Sequence, residues 1–412
     1  MKKLLILGSG SGGTMVATKM RHKLPESEWE ITVIDRDWQH HYQAGWLFVP
    51  FGVYTLKDCM KPKADFIPKG VKLVMDSIEN IDPAKKVVKC KNGSYSYDWV
   101  VIATGCRICP EEVDGMMDDW GGNIHNFYTP NGAEALFKKW KNMKEGRIVH
   151  HIAEMPIKCP VAPLEFVYLA DWFFTLKGVR QNIEIELVTP LTGAFTKPVA
   201  AKILGKVCED KNIKITPNFV VDSVNVGNKT LESVAGEEVP YDLLVAIPPN
   251  FGQQVIIDSG MGDAMGYVET DKHTLKAKNF EHMYVIGDAT NVPTSKAGSV
   301  AHYQSDIVVD NLIREMEGEE PEPAFDGHST CFIVSGYEQA YLIDFNYEIE
   351  PLPGKYPFPG MGPFSLLGES HMNYWGKMMF KWIYFDLMLK GSELPLEPQM
   401  FMAGKMRHLA KA

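Results

Sequence analysis

The sequence predicts an α/β protein, and three kinds of segment carry this prediction. An apolar run at residues 3–7 leads through a glycine-rich turn into a helix-compatible segment, 14–22, and then into a second apolar run that ends at Asp35. Later apolar runs close in Ala-Thr-Gly at 103–105 and in Gly-Asp at 287–288, and the tail turns aromatic and amphipathic. Unbroken apolar runs are typical of parallel strands buried on both faces. We therefore expect two Rossmann-like dinucleotide-binding domains followed by a C-terminal amphipathic segment.

The glycine-rich turn has the spacing of a phosphate-binding loop. Gly8 permits the tight turn, Gly10 lets the backbone approach a pyrophosphate at the helix N-terminus, and Gly13 allows close packing of helix on strand. Asp35, at the end of the second strand, can accept a hydrogen bond from a ribose hydroxyl. The stretch predicts a βαβ unit that binds an ADP moiety, and it does not distinguish FAD from NAD.

Composition narrows the class of protein. A chain of 412 residues suits two or three domains, and its net charge of −10 argues against nucleic acid as a partner. We see no uncharged apolar run of about 18 residues and expect neither a transmembrane helix nor a cleavable signal peptide. Seven cysteines are too few for a disulfide scaffold in a chain of this length, so any disulfide is expected to be redox-active.

Two further motifs indicate which dinucleotide cofactor the protein binds. An apolar run closed by Ala103, Thr104 and Gly105 resembles the second fingerprint of flavoproteins with two dinucleotide-binding domains. The run that ends in Gly287 and Asp288 resembles the third, in which the aspartate hydrogen-bonds the ribityl chain. Together with the N-terminal loop, this resemblance implies FAD.

The expected second nucleotide site lacks its phosphate loop. Residues 146–152 form a fair strand, but residues 153–163 contain three prolines and no glycine. Side chains and prolines there would block the close backbone approach that a pyrophosphate requires. The next strand, 183–188, ends without a carboxylate for a ribose. We therefore predict that the nicotinamide site is missing and that electrons come from another donor; the replacing loop carries Cys159.

Four segments together resemble the sulfide:quinone oxidoreductases. They are residues 159–166 (CPVAPLEF), residues 291–302 with Lys296, the triplet 329–331 (STC), and Asp344 with Phe345. The resemblance implies that Cys159 and Cys331 are joined beside the flavin by a disulfide or polysulfur bridge. It further implies that sulfide opens this bridge to give a persulfide, and that two electrons pass to FAD and then to a quinone on the opposite face.

The residue types suit this chemistry. Thiol–disulfide exchange needs a thiolate, so a redox cysteine is expected to have a lowered pKa. Cys159 precedes a helical pattern at 164–176 and would gain from the helix N-terminus. Glu165 is the nearest candidate for a proton shuttle. An ordinary core cysteine remains the alternative at both positions.

Two cysteine features are left open. Many members of the family have a third cysteine that in some holds FAD covalently, but residues 126–130 have none, so non-covalent FAD is expected at that position. Cys106 and Cys109 form a C-x-x-C pair directly after the Ala-Thr-Gly turn. The pair could be structural, a sulfur relay or half of a zinc site, although no second pair completes four ligands and we assign no metal site.

The tail from Pro351 begins rich in proline and glycine and then becomes helical in pattern. Apolar residues from Trp375 onward follow helical spacing, with Lys377 and Lys381 one turn apart. This pattern favours an interfacial helix whose lysines snorkel to the headgroups, and a helix packed on the body is the alternative. The resemblance implies that Lys377, with Phe380 beside it, lies near the quinone head group.

The prediction is therefore a flavoprotein that oxidises sulfide and reduces a membrane quinone. Its expected parts are an FAD domain at 1–110 and 241–320, a second Rossmann-like domain at 111–240, and a redox-cysteine and quinone segment at 321–412. We expect a homo-oligomer attached to one face of the cytoplasmic membrane. The alternatives are the flavin subunit of flavocytochrome c sulfide dehydrogenase, a type-2 NADH:quinone oxidoreductase and a non-enzymatic sulfur sensor.

Overall fold

The computed structural model describes residues 1–357, 361–392, 394 and 397–406. Its α-helices are α1 (Ser11–Lys23), α2 (Pro130–Trp140), α3 (Ala162–Leu176), α4 (Pro198–Asp210), α5 (Gln254–Asp258), α6 (Gly298–Met316) and α7 (His371–Ile383). Its strands are β1 (Lys2–Leu7), β2 (Trp29–Asp35), β3 (Gln39–His41), β4 (Met60–Pro62), β5 (Val71–Met75), β6 (Ile78–Asp82), β7 (Val87–Cys90), β8 (Ser94–Ser96), β9 (Trp99–Ile102), β10 (Cys106–Ile108), β11 (Ile124–His125), β12 (Gly146–Ile152), β13 (Ile183–Val188), β14 (Ile213–Thr216), β15 (Val221–Asn225), β16 (Thr230–Ser233), β17 (Glu238–Pro240), β18 (Leu243–Ile247), β19 (Asn250–Gly252), β20 (Met283–Val285), β21 (Ser329–Gly336), β22 (Gln339–Phe345), β23 (Gly354–Tyr356) and β24 (Phe364–Leu366).

The first five-stranded sheet has the order β20-β9-β1-β2-β5, and all its pairs are parallel. Its strands are buried on both faces, as their apolar runs predict, with helices α1 and α6 packed together on one face. The carboxyl ends of β1, β9 and β20 carry the three sequence motifs. Because the strands are parallel, these ends meet at one edge of the sheet.

The second sheet has the order β11-β18-β12-β13-β14, again with parallel pairs. The α/β class with two Rossmann-like sheets is thereby confirmed. Strand β18, Leu243–Ile247, pairs with β12 inside this sheet, so the second unit extends past the expected boundary at residue 240. The interior position of β18, between β11 and β12, agrees with its composition, since all five residues are buried and apolar.

A third sheet carries the C-terminal part of the chain. Strands β21, β22, β24 and β23 follow one another in this mixed sheet, and helices α3 and α7 both contact β21. Helix α7 is capped at its N-terminus by Ser370, whose hydroxyl accepts a hydrogen bond from the Asn373 backbone N–H. That cap and the sheet fix α7 over the body of the protein.

Helix α7 presents a partly apolar outer surface. Trp375 and Trp382 remain 61% and 54% exposed, and Met372 and Met379 are also exposed. Lys377 does not belong to this surface, because its side chain is turned inward. Within the described residues, no helix is both long and apolar enough to cross a membrane.

Four buried histidines are expected to make the fold sensitive to mild acid. Burial lowers the pKa of His40 and His151 to about 3 and that of His150 and His302 to about 4. In the unfolded chain these imidazoles have pKa values of about 6.5. As the pH falls below this value, they bind protons in the unfolded state but stay neutral in the folded state. Stability should therefore be fully present above about pH 6.5 and fall towards pH 4, by up to about 1.4 kcal/mol per pH unit for each group.

Urea unfolding at pH 7.0, 6.0 and 5.0 measures this dependence. His151→Leu removes one such group and should flatten the slope relative to the parent chain. A midpoint that does not change between pH 7 and pH 5 would contradict the prediction.

Candidate active site

A cavity of about 860 Å³ joins the motif-bearing edge of the first sheet to helix α3, strand β21 and helix α7. Of the site residues predicted from sequence, Gly13 alone does not line it. The other predicted site residues all line the cavity: Gly8, Gly10, Asp35, Ala103, Thr104, Gly105, Cys159, Glu165, Gly287, Asp288, Lys296, Cys331, Lys377 and Phe380. The fold thus brings together residues from all parts of the chain.

The glycine loop has the shape of a phosphate cradle. A Cβ atom at Gly8, where φ is +98°, would overlap the backbone of Ala103, and one at Gly13 would overlap Gly8 O. These two glycines therefore allow tight packing of the loop. At Gly10 a Cβ would meet nothing within 4 Å, so that part of the loop is open to the cavity.

Asp35 is held at the same end of the cavity by the loop and by a lysine. Its Oδ2 accepts hydrogen bonds from Ser9 N at 2.6 Å and Ser9 Oγ at 3.0 Å, and it pairs with Lys63 Nζ at 2.6 Å. Burial alone would raise the pKa of Asp35, but Lys63 together with the backbone N–H groups of Asp37 and Ser9 outweighs burial, and the pKa is lowered. Lys63 was not predicted, because no motif marks it in the sequence.

The remaining motif residues line the adjoining wall. Lys296 Nζ donates to Asp288 O at 3.1 Å and Thr290 O at 2.7 Å, and lies 3.9 Å from the centroid of the Tyr267 ring. Burial lowers the pKa of Lys296. The Thr104 hydroxyl is buried and has no hydrogen-bond partner among the described residues. An orphaned hydroxyl beside an open glycine loop fits a bound dinucleotide.

Cys159 and Cys331 line the cavity as free thiols. Cys159 adopts a left-handed backbone conformation, φ +48°, just before α3, and its N–H donates to Lys296 O at 2.7 Å. Cys331 lies on β21. Burial raises the pKa of Cys331, and the next largest cause is Cys159, so the two sulfur groups interact electrostatically.

The expected lowering of the Cys159 pKa is wrong. Burial raises the pKa of this thiol to about 11, and the Glu165 carboxylate adds to the effect. Lys377 and the backbone N–H groups of Val161 and Ala162 act in the opposite direction. The helix N-terminus therefore contributes as expected, but desolvation is larger.

Glu165 and Lys377 form a buried ion pair beside the cysteines. Lys377 Nζ lies 2.7 Å from Glu165 Oε1 and donates to Phe332 O at 3.1 Å, while Val334 N also donates to Glu165 Oε1 at 3.0 Å. The second carboxylate oxygen, Oε2, is buried and has no partner among the described residues. Burial raises the pKa of Glu165. Burial alone would lower the pKa of Lys377, but Glu165 and the two thiols raise it.

This pairing corrects one expectation from the sequence. Lys377 does not snorkel at the surface, because its ammonium group has a buried carboxylate as partner. Lys381, one turn further on, lies 4.2 Å from the centroid of the Tyr54 ring. Phe380 packs against Tyr42 and Tyr384, with ring centroids 6.4 and 6.5 Å away.

The C-x-x-C cysteines lie in different surroundings. Cys106 lines the cavity, and its thiol approaches Asp288 Oδ2 at 3.9 Å. Cys109 is fully buried beyond the end of β10, near Arg107 O at 4.0 Å. Both are free thiols. Among the described residues no group of three or more candidate ligands could hold a metal ion.

Strand β21 presents its two faces to different parts of the cavity. Side chains alternate along a strand, so Cys331 points to one face and Thr330 and Phe332 to the other. On the second face lies an apolar lobe, formed by Phe332, Leu342, Tyr356, Phe364, Gly376 and Met379. The sequence does not indicate this lobe, because its residues come from four strands and a helix that are separated along the chain.

The fold and the cavity place this protein in the class of FAD- or NAD-type oxidoreductases. Residues 2–152 match the family described as pyridine nucleotide-disulphide oxidoreductase. The chain belongs to the pyridine nucleotide-disulphide oxidoreductase superfamily, and curated relatives that it matches over about 94% of its length are sulfide:quinone oxidoreductases.

Three comparisons illustrate the likeness. The mitochondrial sulfide:quinone oxidoreductase of Dictyostelium discoideum is 29% identical over 399 residues, 94% of this chain and 86% of that protein. A type II NADH:quinone oxidoreductase of Staphylococcus aureus is 32% identical over 344 residues, 78% of this chain and 84% of that protein. The crystal structure of the Aquifex aeolicus sulfide:quinone oxidoreductase superposes with a TM-score of 0.80, at 18% identity, over 95% of this chain and 92% of that one, which shows a shared fold.

Proposed function

We propose that this protein is a sulfide:quinone oxidoreductase that carries FAD. The observation that supports it most directly is the placement of Cys159 and Cys331 in one cavity with the glycine cradle. Cys159 comes from the loop after β12, the position at which a nicotinamide-binding domain has its phosphate loop.

The type II NADH:quinone oxidoreductase is the second candidate, because that relative has the higher identity over its matched part. Two features favour sulfide over NADH as the donor. The chain between β12 and α3 has prolines at 156 and 160 and no glycine, and α3 itself begins with Ala162 and Pro163. Strand β13 ends at Val188 and is followed by Thr189 and Pro190, so no carboxylate is present to hold a ribose.

FAD fits the residues at the cradle end of the cavity. Gly10 and the N-terminus of α1 would face the pyrophosphate, and Asp35 and Thr104 would hold polar groups of the nucleotide. Asp288 and Lys296 would lie along the remaining part of the FAD molecule. When bound, FAD supplies a two-electron acceptor next to the cysteines. No cysteine is present at 126–130, so we propose non-covalent binding there.

Cys159 and Cys331 supply the sulfur chemistry. In their bridged form, HS⁻ attacks one sulfur, the bond to the other sulfur breaks, and a persulfide and a thiolate result. The ammonium group of Lys377 stabilises the developing thiolate, as its opposing effect on both thiol pKa values indicates. The unpartnered Oε2 of Glu165 can take the proton that the persulfide releases.

The apolar lobe is the proposed place of the quinone. It lies across β21 from Cys331, and at Met379, which is 53% exposed, it reaches the outer surface of α7. The exposed tryptophans of α7 suit contact with a lipid surface, from which a quinone would enter. Lys377 would influence both the cysteine side of β21 and the quinone side, since it contacts Glu165 and the backbone of Phe332.

The choice of donor can be tested directly. Under anaerobic conditions we expect sulfide to bleach the bound flavin within the turnover time, and NADH at the same micromolar concentration to leave it oxidised. Decyl-ubiquinone should restore the absorbance after sulfide. Rapid bleaching by NADH would select the second candidate.

A further inference from the structure

A buried polar network lies against the apolar lobe and has no part in the sulfur chemistry. Its members are Tyr303 on α6, His328 just before β21, Thr330 on β21, Asp344 on β22, and Lys405 from the C-terminal segment. His328, Asp344 and Lys405 have side chains that are 1%, 1% and 0% exposed. Such a fully buried set of titratable groups is costly to desolvate, so its position calls for an explanation.

The contacts form a continuous chain from the lobe inward. Tyr303 OH donates to Thr330 Oγ1 at 3.2 Å, and Thr330 Oγ1 donates to Asp344 Oδ1 at 2.9 Å. His328 Nε2 lies 2.7 Å from the same carboxylate oxygen and 3.0 Å from Thr330 Oγ1. Asp344 Oδ2 pairs with Lys405 Nζ at 2.5 Å. Both Thr330 and Tyr303 line the cavity.

The groups around His328 hold its ring in place. The Tyr303 ring stacks on it with centroids 4.2 Å apart and planes 4° from parallel, and His328 Nδ1 lies 3.1 Å from Glu397 O. Asp326 receives the His328 backbone N–H at 3.0 Å. The titratable side chains around this histidine and its carboxylate partner include Asp326, Asp344, Lys405 and Tyr303, and Tyr356 lies close enough to Asp344 to be influenced by its charge.

We propose that His328, Asp344 and Thr330 form a proton-transfer network that serves the electron acceptor bound in the apolar lobe. The inference rests on the proposed function and extends it. Reduction of a quinone to its quinol takes two electrons, which come from sulfide through the cofactor, and two protons. For one of these protons, the Thr330 hydroxyl turns from Asp344 to a quinone oxygen and donates its proton there, while it takes a proton from the His328–Asp344 pair. Water later reprotonates the pair. The other proton comes from water at the exposed edge of the lobe.

Geometry assigns the network to the acceptor and not to sulfide. Thr330 and Cys331 are neighbours on β21, so their side chains point to opposite faces of the strand. Thr330 shares its face with Phe332, whose ring packs against Phe364 at 5.7 Å in the lobe. Cys331 packs in a different cluster, together with Val161, Leu164 and Ile333.

A matched pair of substitutions tests the proposal. Thr330→Val removes the hydroxyl at nearly constant volume, whereas Thr330→Ser keeps it. In the full-length holoenzyme, we expect Thr330→Val to slow oxidation of the reduced flavin by decyl-ubiquinone on the order of a hundredfold. Thr330→Ser should stay within a few-fold of the parent, and bleaching by sulfide should be the same in all three proteins.

The pH profile distinguishes proton transfer from a packing defect. In the parent chain the rate of the quinone step should depend on pH, because a proton reaches the acceptor through the network, and Thr330→Val should lose this dependence. His328→Gln, checked for folding by circular dichroism, should reproduce the defect. If Thr330→Val reacts with quinone at the parental rate, or if Thr330→Ser is equally impaired, the network does not transfer protons to the acceptor.

The two proposals can fail separately. Enzyme reduced chemically with dithionite can be mixed with quinone without sulfide, so the network is tested even if sulfide does not bleach the flavin. Failure of sulfide bleaching in the parent chain would reject the proposed donor alone.

Discussion

Replacement of Cys331 with serine is expected to slow reduction of the flavin by sulfide roughly a thousandfold or more, as when a covalent catalyst is lost. The substitution removes one of the two sulfurs that line the cavity, while the cradle and the apolar lobe keep their residues. Reoxidation of chemically reduced enzyme by quinone should therefore proceed at close to the parental rate. Stopped-flow absorbance measures the two half-reactions separately.

Cys90→Ser is the matched control for this experiment. Cys90 is also a buried thiol on a strand, but it does not line the cavity. Its replacement should leave the sulfide reaction unchanged. If Cys331→Ser were reduced by sulfide at the parental rate, Cys331 would be an ordinary core cysteine and the two-cysteine mechanism would be wrong.

Replacement of Lys377 with methionine should destabilise the fold by about 3–5 kcal/mol, because it leaves the Glu165 carboxylate buried without its partner. The double variant Glu165→Gln with Lys377→Met removes both charges, so it should recover most of that loss. Urea unfolding of the parent, both single variants and the double variant forms a complete cycle that gives the coupling between the two groups.

Lys381→Met serves as the control on the same helix. Among the residues that the structure describes, Lys381 lies over an aromatic ring and has no carboxylate within 4 Å, so its replacement should cost only about 0.5–1 kcal/mol. A Lys377→Met protein as stable as the parent would mean that Glu165 is already neutral in the folded state. The double variant would then show no recovery.

The sequence predicts well those features that depend on neighbouring residues. Apolar runs locate β1, β2, β9, β12, β13 and β20, and the glycine spacing predicts the cradle, because tight packing at Gly8 and Gly13 has a direct steric cause. The helix after Cys159 is also confirmed, beginning at Ala162, two residues before the predicted start at residue 164.

Features that depend on contacts between distant segments could not be predicted. No local pattern relates Lys63 to Asp35 or Lys377 to Glu165, although both pairs lie within 2.7 Å in the fold. The pKa of Cys159 was expected to fall, because a helix N-terminus can be read from sequence while the depth of burial cannot. Thr330 is adjacent to Cys331 in the sequence, yet its role depends on which face of β21 each side chain occupies.

The two-sided use of β21 restricts how this protein can change over evolution. Insertion or deletion of a single residue between Gly327 and Cys331 would shift the register and exchange the faces of every following side chain. The thiol would then enter the apolar lobe, and its place beside Cys159 would be taken by the Thr330 hydroxyl after an insertion or by the Phe332 ring after a deletion. Length variation among descendants of this sequence should therefore concentrate in the connection at 317–324, ahead of the strand, and be absent from 328–334. A deep mutational scan that includes single-residue insertions would show this boundary as an abrupt loss of sulfide-dependent growth.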